Sequence, residues 1–207
     1  MLMRIWKDLN NTSKKSVSAN NLHNRCVFEG TNTALVNGQN TEPVRLMRYG
    51  RNFMNHCGCE IIAVYNIMQL LSKPVPLPDV ISEFELNRMS ALFFSTCFGS
   101  SPKKIGRYFD AHKIAYKYCK HKDDFIRQSD SSELGIVSFW VNTYSKHRFN
   151  RFGSGLHTVA FKKDKSAKLT VYNRYNDDTA PREYDNVACL LQDRRFIAGY
   201  LFEYPEK

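Results

Sequence analysis

The segment Met54-Asn55-His56-Cys57-Gly58-Cys59-Glu60-Ile61-Ile62-Ala63-Val64-Tyr65-Asn66 places a cysteine where an apolar helical pattern begins. At the first turn of a helix, unpaired backbone N–H groups and the positive end of the dipole favour thiolate over thiol. Cys59 is therefore expected to have a depressed pKa and to alkylate ahead of the other cysteines. Gly58 allows a tight backbone entry and leaves room for a ligand beside the sulfur. Cys57, also followed by glycine, is the alternative nucleophile. Cys59 is preferred because Glu60 and the helical pattern begin directly after it.

A thiolate used for acyl transfer needs a base and a group that aims the base. Among the six histidines, His157 is the best placed, at the start of the strand-like run Gly155-Leu156-His157-Thr158-Val159-Ala160-Phe161. The next run, Lys168–Tyr175, follows after a short Asp164–Ala167 turn, so the two should form a hairpin. Pairing Phe161 with Leu169 and Val159 with Val171 sets His157 opposite Asn173. Opposed side chains then have Cβ atoms about 4.5–5.5 Å apart, close enough for the Asn173 amide to orient the imidazole. A slip of one residue would move Asn173 to the other face.

The elements that must hold these residues follow from periodicity. Ile62, Ala63, Asn66, Ile67, Leu70 and Leu71 repeat as one buried helical face. That helix must end by Ser72, since Pro74, Pro76 and Pro78 cannot continue it. Asp79 is expected to cap a second helix through Phe84. Ser101-Pro102 predicts a third over 102–112 that buries Ile105, Tyr108 and Phe109. The period then changes to two, and 115–119, 135–142, 156–163, 168–175 and 196–204 read as strands. Helices first and an antiparallel sheet afterwards make an α+β fold. Residues 1–45 hold eight asparagines with little periodicity, and they read as an irregular extension ahead of a catalytic domain over 46–207.

With 207 residues and 43% hydrophobic side chains, the chain has the composition of a globular domain. No apolar stretch approaches the roughly 18 residues needed to cross a bilayer. The first residues lack the apolar core of a secretory signal, so a cytoplasmic location is expected. Six irregularly spaced cysteines argue against a disulfide scaffold. The net charge of +10 is uneven: residues 146–174 carry eight basic side chains against one acid, whereas 175–207 carry four against seven. No nucleic-acid motif accompanies the basic stretches, so no nucleic-acid partner is expected.

The run Gly-Cys-Glu-Ile-Ile-Ala-Val-Tyr-Asn resembles the nucleophile helix of the papain-like bacterial cysteine peptidases grouped with the double-glycine (bacteriocin) leader peptidases, especially their Gly-Cys-Glu branch. Three further segments match in order: Gly99-Ser100-Ser101-Pro102-Lys103-Lys104-Ile105-Gly106, Ile136-Val137-Ser138-Phe139-Trp140, and Gly155–Ala160 followed by Val171-Tyr172-Asn173. The resemblance spans roughly residues 48–204. It implies a papain-like α+β fold and a cysteine peptidase without cofactor or metal, in which Cys59 attacks, His157 acts as base and acid, and Asn173 orients it. It also implies a peptide or protein substrate. Glu60, Arg148 and Arg151 are expected to contact it, with an acidic substrate favoured by the cations around Lys146, Arg148 and Arg151.

This sequence departs from the family pattern in two places, one being Cys57, a second cysteine followed by glycine that could be aligned as the nucleophile. Phe53 stands where papain-like enzymes carry a glutamine for the oxyanion hole, so Asn55 or Asn52 is expected to supply the amide, beside the Cys59 N–H. The same triad can also serve deamidation or transglutaminase-like transfer, and a papain fold can survive as a non-catalytic binding protein. A zinc site drawn from His56, Cys57, Cys59, Cys119 and His121 is a further alternative, although the spacing is tight for one tetrahedral centre.

Overall fold

Runs of alternating Val, Ile, Phe and Tyr become strands, and the continuous apolar run after Gly58 becomes a helix laid across them. A computed structural model describes residues 14–30, 35–92, 95–141 and 155–204. Its helices there are α1 (Lys14–Phe28), α2 (Met54–Cys57), α3 (Cys59–Leu70), α4 (Leu77–Leu86), α5 (Gly106–Ala111), α6 (Lys122–Ser129) and α7 (Val187–Leu190). The strands are β1 (Arg48–Tyr49), β2 (Asn52–Phe53), β3 (Ser90–Leu92), β4 (Ser95–Ser100), β5 (Lys117–Cys119), β6 (Leu134–Trp140), β7 (Leu156–Lys163), β8 (Leu169–Tyr172), β9 (Arg182–Tyr184) and β10 (Arg195–Phe202). β5 to β10 form one antiparallel sheet in the order β5-β10-β6-β7-β8-β9. The α+β arrangement expected from the sequence is present, with α3 packed on a sheet that carries His157 in β7 and Asn173 directly after β8.

The sheet separates two cores. On one face Ile136, Ala160, Ala198 and Tyr200 pack with Ile61, Ile62, Val64 and Ile67 of α3. On the other, Val137, Phe139, Val159, Phe161 and Val171 pack with Phe125 of α6 and Leu190 of α7. α3 is buried on every side from Cys59 to Met68, not on a single face. The sheet, α4 and the chain at 35–41 surround it, which is why polar Glu60 and Asn66 lie inside.

Residues 14–28, expected to be irregular, form α1. Its three asparagines dock the helix. Asn20 donates to Glu85, Asn21 to Ser82, and fully buried Asn24 exchanges two hydrogen bonds with the Arg48 main chain. The segment 35–41 then runs as a strap between α3 and the turn after β8. Asn66 holds Val36 by two main-chain bonds, and Asn40 N–H donates to the Asn176 carbonyl at 2.8 Å. Gly38 (φ +70°) lets the strap approach closely, since a Cβ there would lie 2.2 Å from the Asp178 carbonyl oxygen.

The hairpin register differs from the expected one by two residues. Phe161 faces Val171 and Lys163 faces Leu169. The cause is the turn: Asp164 Oδ1 accepts from the N–H groups of Ser166 and Lys168, and Asp164 N–H donates to the Lys168 carbonyl. That side-chain-capped loop fixes the 164/168 pair and with it the whole ladder. A shift of two preserves the faces, but it leaves Asn173 beyond the last β8 pair, where its φ of +57° ends the strand. The expected third helix begins as a 3-10 turn over Pro102–Lys104 before α5, and it buries Ile105, Tyr108 and Phe109.

Candidate active site

Cys59 stands at the N-terminus of α3, and Gly58 joins it to α2 at a tight corner. A Cβ at Gly58 would meet the Met54 carbonyl oxygen at 2.6 Å, so only glycine permits this approach. The Cys59 S–H donates to Glu60 Oε2 at 3.3 Å, and the sulfur lies 4.0 Å from the Leu156 carbonyl oxygen. The Thr158 N–H also points at it. The sulfur thus rests against the β7 main chain on both sides of His157.

Glu60 was expected to meet substrate, but it is 1% exposed and points inward. Its carboxyl accepts from Thr158 Oγ1 at 3.3 Å and from the N–H groups of Glu60 itself and Ser100. Thr158 is in turn bonded to Ser138. Burial lifts the Glu60 carboxyl to about 7, against which those hydrogen bonds act. Burial, followed by the neighbouring Glu60 charge, pushes the Cys59 thiol well up. The expected lowering by the helix N-terminus is overridden by burial and by the Glu60 carboxyl beside the sulfur. Cys59 is a thiol at neutral pH.

His157 alternates away from this pocket. Thr158 and Ala160 face α3, whereas His157 belongs with Val159 and Phe161. It pairs across β6 with Phe139 and meets that ring edge-on at 6.3 Å. Its Nε2 bonds the main-chain carbonyl of Asn173 at 2.6 Å, so Nε2 carries the hydrogen. Burial lowers the imidazole to about 4; the Asn173 carbonyl opposes this and the Arg174 charge reinforces it. The ring is neutral at pH 7. Among the described residues no hydrogen bond joins Cys59 to His157.

Asn173 was expected to orient His157 through its side chain, and it does so through its backbone. The Asn173 side chain turns to Gln39 instead: Oδ1 accepts from the Gln39 N–H at 3.0 Å, and Nδ2 faces Gln39 Oε1 at 3.4 Å. Buried Gln39 donates from Nε2 to the Asn55 carbonyl at 2.6 Å, bridging the β8 end to α2. Sequence reasoning missed Gln39, which lies in a polar stretch twenty residues before Cys59 with no pattern around it. It also missed Arg174, whose guanidinium lies over Phe139 and Tyr175 at 5.3 and 4.5 Å and donates from Nε to the Tyr184 hydroxyl.

Asn55 is in α2, and its Oδ1 is buried with no hydrogen-bond partner among the described residues. Asn52 is in the small β1–β2 hairpin opposite Tyr49, with no hydrogen bond to Cys59, His157 or Asn173. Arg148 and Arg151 lie outside the described residues. The zinc set is not gathered: Cys57 sits in the first core, whereas Cys119 sits in the second, bonded to Gln128 Oε1 at 3.1 Å. Among the described residues no helix is long and apolar enough to cross a membrane.

No protein-family model matches the chain, and no curated protein matches it. Among solved structures, it is similar to the peptidase domain of Streptococcus ComA, described as a bifunctional ABC transporter involved in a quorum-sensing pathway. The identity is 9% and the TM-score 0.47, over 75% of this chain and 99% of that one.

Proposed function

We propose that this chain is a cysteine peptidase of papain-like plan. In this reading Cys59 is the nucleophile, His157 the histidine of the triad, and the Asn173 carbonyl the group that fixes His157. One observation carries it: a cysteine sulfur at the first turn of a central buried helix rests against the main chain flanking a buried histidine, 4.0 Å from the Leu156 carbonyl oxygen. Attack on an amide carbon would give an acyl-enzyme that water then hydrolyses. The substrate is a peptide or protein segment. The eight basic side chains over 146–174 favour an acidic one. In the resting structure the thiol and the His157 imidazole are not hydrogen-bonded to each other, and His157 faces the opposite side of β7.

That resting state also favours a second reading, a non-catalytic peptide-binding protein on the same plan. The test is hydrolysis of acidic and basic peptide pools by wild type, Cys59→Ala and Cys57→Ala. Turnover lost only in Cys59→Ala is the expected result. Turnover retained in Cys59→Ala would remove the nucleophile assignment, and binding without turnover in wild type would establish the second reading.

A further inference from the structure

We propose that Glu60 is a second catalytic residue, its carboxylate taking the proton of the Cys59 thiol as the sulfur attacks. This rests on the reading of Cys59 as nucleophile. The thiol touches Glu60 Oε2 at 3.3 Å, and among the described residues no imidazole is hydrogen-bonded to it. His157, the expected base, commits Nε2 to the Asn173 carbonyl on the other side of β7.

The carboxyl is held like a working group and not merely tolerated. Its other oxygen accepts from Thr158, itself bonded to Ser138, and the Ser100 N–H fixes it from β4. Titratable groups facing the pair are Cys57 from α2 and the Tyr49 hydroxyl from β1, which is bonded to Ser100 Oγ; Glu85 of α4 acts on Tyr49 from further off. No cation is bonded to Glu60 among the described residues, so the carboxylate is not neutralised as in a structural ion pair. Unpaired burial of this kind usually costs stability, and a base near neutral pH is what it provides in return.

The step balances. The S–H proton passes to Glu60 Oε2 while a sulfur lone pair forms the S–C bond with the amide carbon. On collapse, the carboxyl returns the proton to the nitrogen, the C–N bond breaks, and the amine leaves. In the second half water loses its proton to Glu60, which hands it back to sulfur as the S–C bond breaks.

The test is the rate of Cys59 alkylation by iodoacetamide, mapped by mass spectrometry from about pH 5 to about pH 10, beside peptide turnover. In wild type the alkylation rate should rise with a midpoint near that of the Glu60 carboxyl, about 7. In Glu60→Gln, which keeps the shape and loses the base, that limb should vanish. The rate at neutral pH should then fall about tenfold or more, and kcat about a hundredfold with KM unchanged. Glu60→Asp should restore part of the limb. A wild-type profile without the lower limb, or a Glu60→Gln profile identical to wild type, overturns the proposal. Activity that survives Cys59→Ala defeats the nucleophile reading itself; an inactive Cys59→Ala beside an unaltered Glu60→Gln defeats only the role of Glu60.

Discussion

Glu60 and His157 should leave opposite signatures in the pH dependence of stability, and Glu60→Gln separates them. The Glu60 carboxyl is raised from 4.5 unfolded to about 7 folded. Folding therefore favours its protonated form: the stabilisation is full below about pH 4.5 and is lost as pH rises through 7. His157 falls from 6.5 to about 4. Folding favours its neutral form, so that stabilisation is full above about pH 6.5 and is lost as pH falls through 4. Each of these displacements corresponds to about 3 kcal/mol. Between pH 4.5 and 6.5 the two slopes oppose, and their contributions to the wild-type profile nearly cancel. Glu60→Gln removes one of them. Relative to the variant, wild type should lose about 3 kcal/mol between pH 4.5 and 7. The variant alone should gain stability over the same range as His157 deprotonates. Urea unfolding at half-unit steps of pH, compared at equal m-values, measures the difference directly. A flat difference curve, or wild type gaining on the variant as pH rises, refutes the burial argument for Glu60.

Gly58→Ala should destabilise by about 1–3 kcal/mol, read as a lower urea midpoint, because the added Cβ meets the Met54 carbonyl oxygen and the α2–α3 corner must open. Asn173→Gly keeps the positive φ and the carbonyl that holds His157, so peptide turnover should stay within about tenfold of wild type; a larger loss would return the orienting role to the side chain. Asn24→Ala removes two hydrogen bonds to the Arg48 main chain from a fully buried site, and should cost about 2 kcal/mol by the same urea assay.

Much of this architecture was legible before any coordinates. The change to a period of two from residue 115 marks the main sheet, although the helices α6 and α7 interrupt it. The proline cluster at 74–78 stops α3 as expected, and β7 matches the predicted strand residue for residue. What escaped was set by individual polar side chains. The hairpin register depends on Asp164 capping its own turn, a detail that hydrophobic pairing between Phe161 and Leu169 or Val171 does not reveal. α1 was invisible because asparagines, poor helix formers, are used there to grip α4 and β1. At the site, the sequence reading expected the Cys59 sulfur at the His157 imidazole, and the structure sets it against the β7 main chain beside Leu156 instead. Burial then reversed its expected ionisation, moved the orienting contact from the Asn173 amide to its carbonyl, and brought in Gln39 from the strap.

The central claim is that Cys59 forms the covalent intermediate. Peptides carrying a C-terminal aldehyde or chloromethyl ketone, incubated with the full chain and followed by intact-mass and peptide mapping, trap that thiol directly. The account predicts a single adduct on Cys59, formed in wild type, slowed in Glu60→Gln and absent from Cys59→Ala. An adduct on Cys57, or no adduct on Cys59 under conditions where peptides are turned over, would contradict it.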